Sequence, residues 1–165
     1  MPTIHLPIGG STAERTLHCP VWLERAKKAP KRPSSAFADE GNLLHDAMEA
    51  WQGDSIPFKE MIGKLKYNDQ VLTEELYKTL LAPAATALNN LLDDYSVYDE
   101  VLCEPFVQYI PDEADGSIDV LARSQDGKTV IIADYKFGQA PVKVENNSQL
   151  QFYALCARTD PQTAY

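Results

Sequence analysis

Two aspartates and a lysine late in the chain are the residue types that metal and acid–base chemistry require. Asp119 closes Gly116-Ser117-Ile118-Asp119, and Asp134 and Lys136 lie in Ala133-Asp134-Tyr135-Lys136. Between them Gln125-Asp126-Gly127-Lys128 separates two apolar runs, and an Asp-Gly pair in that setting signals a β-hairpin. With Asp126-Gly127 as a two-residue turn, the register sets Asp119 directly opposite Asp134. Side chains alternate along a strand, so Lys136 projects from the same face, as do Leu121, Val130 and Ile132 nearer the turn. Two carboxylates facing each other across strands repel. One resolution is a divalent cation, since hard oxygen ligands suit magnesium or manganese. The lysine then orients or deprotonates a water and stabilises charge on a phosphate. The other resolution is that both carboxylates are solvent-facing strand ends, and a bulge would shift the register by one.

Three further features bear on the choice. Glu104 lies on the preceding strand and is either another oxygen ligand or an exposed strand glutamate. His45 and Glu49 are four apart and share a helix face, which is half of a metal site or a structural histidine with a surface neighbour. Gln149 and Tyr153 repeat the four-residue spacing at the start of the last helix.

The elements that must position these residues follow from pattern. Ser11-Thr12-Ala13-Glu14, after Gly9-Gly10, fits a capping box and predicts a helix start. Pro20 interrupts that helix or opens a second turn through Trp22 and Leu23. Lys27-Lys28-Ala29-Pro30-Lys31-Arg32-Pro33 is a basic, proline-broken loop, either solvated or phosphate-contacting. Leu44, Ala47, Met48 and Trp51 make one apolar stripe on a helix over 38–51. Asp54-Ser55 with Pro57 predicts a short helix through Met61 and Leu65, and a longer helix follows Thr73, kinked or split at Pro83. Strands are predicted over 101–110, 116–123 and 129–135, and a last helix over 149–158 capped from Asn146-Asn147-Ser148. Helices, then three strands, then a helix predict a mixed α/β (α+β) class with helices against a small sheet.

Composition sets the outer limits. The chain has 165 residues, 44% hydrophobic and 24% charged, with 8 Gly and 11 Pro, which excludes collagen, low-complexity and disulfide-miniprotein classes. One domain is expected, with a helical region over about 10–95 and strands and helix over about 100–158. The net charge of −9 excludes attachment to nucleic acid by bulk charge, so any DNA contact comes from a local patch or bound cations. No apolar run approaches the length of a membrane span, and the N-terminus lacks signal-peptide regions. Cys19, Cys103 and Cys156 are odd in number and far apart, which predicts reduced thiols and a cytoplasmic location.

The ordered set His45, Glu104, Asp119, Asp134-x-Lys136 and Gln149-x-x-x-Tyr153 resembles the PD-(D/E)XK nuclease superfamily, in its RecB-like branch. The wording around these residues fits too: Cys19-Pro20, Glu40-Gly41-Asn42-Leu43-Leu44-His45 and Asp134-Tyr135-Lys136-Phe137-Gly138. The run Val144-Glu145-Asn146-Asn147-Ser148-Gln149-Leu150-Gln151-Phe152-Tyr153 is similar to an uncharacterised phage and prophage family of that superfamily.

The resemblance covers roughly residues 10–158 and implies a restriction-endonuclease-like core hydrolysing DNA phosphodiesters with Mg2+ or Mn2+. It implies Asp119 and Asp134 as metal ligands, joined by the carbonyl of Tyr135, by His45 and by Glu104, with Lys136 acting on the attacking water. Gln149 and Tyr153 would shape the site or contact substrate. Lys27, Lys28, Lys31, Arg32 and Lys143 would contact the DNA backbone, with a recombination partner protein or further domain adding affinity. The family's strand after the Gln149–Tyr153 helix would begin near Thr163-Ala164-Tyr165 and is expected to be missing. Iron–sulfur relatives use four cysteines, so no cluster is expected. A non-catalytic DNA-metabolism binding module on the same fold and an acidic interaction domain are the competing expectations.

Overall fold

A computed structural model describes residues 8–19, 21–30, 33–97, 101–110, 112–138 and 142–160. Helices and small antiparallel sheets are mixed along the chain, the class expected from sequence. The backbone falls into two compact units, and neither is a continuous stretch. The first takes 1–32, 104–118 and 143–165; the second takes 33–103 and 119–142. Among the described residues no helix is long and apolar enough to cross a membrane. Cys19, Cys103 and Cys156 are free thiols.

The second unit is organised by its longest helix. Helices α1 (Ala13–His18) and α2 (Trp22–Lys28) precede it in the first unit, so it is α3 (Ala36–Gln52). Ser35 caps it, its hydroxyl accepting from the Ala38 N–H at 3.2 Å. Leu43, Leu44, Ala47 and Met48 are fully buried along one face, and Phe58, Met61, Leu72, Leu81 and Ala85 complete the core around them. Helix α4 (Phe58–Met61) is shorter than expected: it ends at Met61, Gly63 takes a left-handed φ of 75°, and Leu65 lies beyond. A hairpin that the pattern did not announce follows, β1 (Lys66–Tyr67) against β2 (Gln70–Val71), turning at Asn68 with φ 49°. Thr73 caps α5 (Glu74–Leu76), a π-helical stretch spans Tyr77–Leu81, and α6 (Ala82–Asp94) continues. Pro83, with no N–H to give to the preceding turn, splits the helical run as expected.

The sheet that bears the site also lies in this unit. Strands β3 (Val101–Cys103), β6 (Val120–Arg123) and β7 (Val130–Ala133) are antiparallel in the order β3-β6-β7. One face is apolar: Val97, Ala122 and Ile131 pack with Leu91, Leu92 and Val101. The β6–β7 connection is wider than a two-residue turn. The Gly127 N–H bonds to the Ser124 carbonyl at 2.8 Å and the Ser124 N–H to the Thr129 carbonyl at 2.9 Å. Asp126 holds the wider loop, its Oδ1 accepting from the Ser124 hydroxyl at 2.7 Å and the Lys128 N–H at 3.1 Å.

In the first unit, β4 (Phe106–Ile110) pairs antiparallel with β5 (Ala114–Ser117), with a bulge between Gln108 and Ile110, and Ile8 bridges to Ala114 on a parallel course. The strand expected over 101–110 is therefore two strands, broken where Glu104 adopts φ 50° before Pro105. The strand expected over 116–123 is likewise divided into β5 and β6. The N-terminal cap differs from the expected box: Ser11 and Glu14 do not form it. Instead the Thr12 hydroxyl accepts from the Gly9 N–H at 3.0 Å over a 3-10 turn, Gly10–Thr12. Helix α7 (Ser148–Thr159) packs on β4, α1 and that turn, and Asn147 caps it by accepting from the Gln149 and Leu150 N–H groups. The ring of Tyr153 lies so close to Gly10 and Gly116 that a Cβ at either would meet it within 2.4 and 2.9 Å.

Candidate metal centre

The β6–β7 ladder ends at the pair Val120–Ala133, so Asp119 and Asp134 stand one step beyond it on opposite strands. This is the register expected from sequence. It survives the wider loop because that loop is also centred on Asp126-Gly127 and shifts neither strand.

Beyond the ladder the chain is held by side chains. The Tyr135 backbone N–H donates to Oδ2 of Asp119. Nδ1 of His45, from α3, lies 3.5 Å from the same oxygen. The imidazole is walled by two rings: Tyr135 at 6.2 Å and Phe137 at 5.4 Å between centroids, both edge-to-face. Lys136 is ion-paired with Oδ2 of Asp134, whose side chain is 7% exposed against 39% for the lysine.

Burial pushes the Asp119 carboxyl above its ordinary range, and the charge of Asp134 adds to the rise. His45, the Tyr135 N–H and Lys136 act in the opposite direction. The repulsion anticipated between the facing aspartates is thus present, but His45 outweighs it, and burial is what leaves the net shift upward.

These residues suit a hard divalent ion. An octahedral ion with ligands at about 2.1 Å holds adjacent donors roughly 3 Å apart, close to the His45–Asp119 spacing. Carboxylate oxygens suit magnesium and manganese, while the imidazole also suits zinc, iron and other transition ions.

The remaining expected residues are distributed as follows. Glu104 is half-buried and follows directly on Cys103, whose strand partner Val120 adjoins Asp119 in sequence; it belongs to the first unit. Gln149 and Tyr153 belong there too, joined by a 3.3 Å hydrogen bond from Nε2 to the phenol oxygen. Lys27, Lys28 and Lys143 are exposed, Lys27 sharing an ion pair with Glu24 at 3.6 Å. Lys31 and Arg32 lie outside the described residues, as do 161–165, where the superfamily's further strand would begin. Glu49, one turn after His45, is exposed.

Two neighbours were not singled out from sequence. Phe137 closes one side of the imidazole. Gln52 receives the Tyr135 hydroxyl on Oε1 at 3.2 Å. The signal for Gln52 was its position seven residues after His45, on the same helix face.

A mixed helix-and-sheet protein with histidine and paired aspartates at a sheet end is the class that fold and site define. The chain belongs to the DUF2800 family, described as a protein of unknown function, whose profile it matches over residues 5–165. No curated protein and no solved structure matches it.

Proposed function

We propose that this chain is a metal-dependent DNA nuclease of the PD-(D/E)XK superfamily, in its RecB-like branch, with a restriction-endonuclease-like core. Its substrates are DNA phosphodiesters, and its action is that of an exonuclease or end-processing enzyme in phage-type recombination or repair. The observation that carries this reading is the meeting of His45, Asp119, Asp134 and Lys136 at one sheet end, in the chain order of that superfamily.

In this reading His45, Asp119, Asp134 and the Tyr135 carbonyl hold Mg2+ or Mn2+, with Glu104 as a further ligand. The ion, when bound, supplies Lewis acidity toward the phosphate and lowers the pKa of a water. The protein's own residues do the rest. The Tyr135 N–H fixes the rotamer of Asp119, and the Tyr135 and Phe137 rings fix the imidazole plane. The Lys136 ammonium, held over Asp134, is placed to orient a water and to meet charge on a phosphate oxygen. Gln149 and Tyr153 shape the substrate side, and Lys27, Lys28, Lys31, Arg32 and Lys143 meet the DNA backbone. A recombination partner or additional domain supplies affinity that a net charge of −9 withholds.

The test is degradation of end-labelled linear and circular DNA with manganese. Loss of label from linear DNA alone is expected of an exonuclease, and cutting of circles of an endonuclease. A folded protein that cuts neither, with or without residues appended past Tyr165, overturns the reading.

A further inference from the structure

We infer that Gln52 is a positioning residue for the metal centre, locking the Asp134-Tyr135-Lys136 segment onto α3 through the Tyr135 hydroxyl. The inference rests on the metal-dependent reading of the site. Past Ala133 the segment has left the β ladder, so ladder hydrogen bonds no longer fix it. Two contacts to Tyr135 replace them. Its N–H reaches Asp119, and its hydroxyl reaches Gln52 Oε1 at 3.2 Å. Gln52 and His45 are two turns apart on one face of α3, so the helix that presents the imidazole also grips the loop that carries Asp134.

The rings reinforce this geometry. Tyr135 and Phe137 stack at 5.9 Å, and both meet His45 edge-on. A phenol free to swing would carry the imidazole's wall with it. The Asp134 and Lys136 backbones, one residue to either side, would follow.

Gln52 is also an unfavourable choice for stability alone. Its Nε2 is buried and has no hydrogen-bond partner among the described residues. Burying an unpaired amide is costly, and an apolar side chain at the C-terminal end of α3 would avoid it. A glutamine kept there needs a role that leucine cannot fill, and accepting the Tyr135 proton is such a role.

The test uses the full chain, with Mn2+ as the calorimetric probe, thermal melting, and the ring-proton NMR signals of His45. Gln52→Leu should leave the melting temperature unchanged or higher while raising the Mn2+ Kd about tenfold, the lower end of what loss of an outer-shell partner costs. Tyr135→Phe, which keeps the ring and removes only the hydroxyl, should match it, and the double variant should lose no more than either single. Gln52→Glu, which keeps the acceptor, should recover most of the affinity. In the metal-free protein, Gln52→Leu and Tyr135→Phe should move the His45 ring signals alike, and Gln52→Glu should leave them near wild type.

Independent, multiplying losses in the double variant, or a lower melting temperature with unchanged Mn2+ Kd, would overturn the inference. If wild type binds no Mn2+, the metal reading falls by itself. The His45 signals then decide the positioning role: matched shifts keep it, and unmoved shifts end it.

Discussion

A carboxylate as buried as Asp119, with Asp134 as its neighbour, has its acid form favoured by the fold. The sign of the consequence is fixed. A carboxyl whose folded pKa lies above its unfolded value, about 3.9, stabilises the fold fully below that value. The contribution is lost as pH rises through the raised folded pKa. Melting curves in chelator should therefore show wild type losing stability across that window. Asp119→Asn should be free of that loss, more stable near neutral pH, and blind to added manganese. A metal-free Asp119→Asn that melts well below wild type at pH 7 would contradict this. On the proposed function, Lys136 separates binding from chemistry. Lys136→Ala removes a positive charge beside Asp134, so Mn2+ affinity should hold or tighten. DNA cleavage should fall by about two to four orders of magnitude if the lysine acts as an acid–base group. Equal cleavage by variant and wild type would remove Lys136 from the reaction. The two aspartates were legible in the sequence because strand period and turn symmetry place them with no knowledge of packing, whereas His45, on a helix, was marked only by the superfamily resemblance. Gln52 was not, because its partner is a hydroxyl far along the chain, and helix spacing alone does not tell a gripping glutamine from a surface one.

At the scale of elements, the β6–β7 register could be read although the turn could not. A loop centred on Asp126-Gly127 keeps Asp119 facing Asp134 whether two or four residues close it, and side-chain bonds of Ser124 and Asp126 select the wider form. The break between β3 and β4 had a visible cause in Pro105, which supplies no N–H to a ladder. The break between β5 and β6 had none, since Gly116 to Arg123 reads as one apolar-rich run. The β1–β2 hairpin is too short for an alternating pattern to show. The first unit depends on a different local device, the absence of side chains under the Tyr153 ring. Gly10→Ala or Gly116→Ala would push a Cβ into a ring that is only 6% exposed and has nowhere to retreat. Each should cost about 1–3 kcal/mol, the usual range for overpacking, read by urea denaturation. A loss below half a kilocalorie would mean that the ring moves freely.

The whole molecule carries a net charge of −9, so on the proposed function any grip on DNA comes from few contacts. If Lys27, Lys28, Lys31, Arg32 and Lys143 all neutralise phosphates, the logarithm of duplex affinity should fall against the logarithm of salt with a slope of about −4.5. A steeper slope, measured by anisotropy over a salt series, would require basic residues beyond these. Chain order across the two units bears on something else, the timing of biosynthesis. The second unit is complete once Val142 has left the ribosome. The first begins with α1 and α2 but closes only when α7 emerges to bring Tyr153 down on Gly10. At roughly 5–20 residues per second the earliest-made helices wait several seconds or more for the partner made last. The nascent protein thus exposes its N-terminal helices, with Ala13 not yet buried, throughout the interval in which the second unit can already fold. Holdase chaperones that read apolar surface would meet this chain at its beginning.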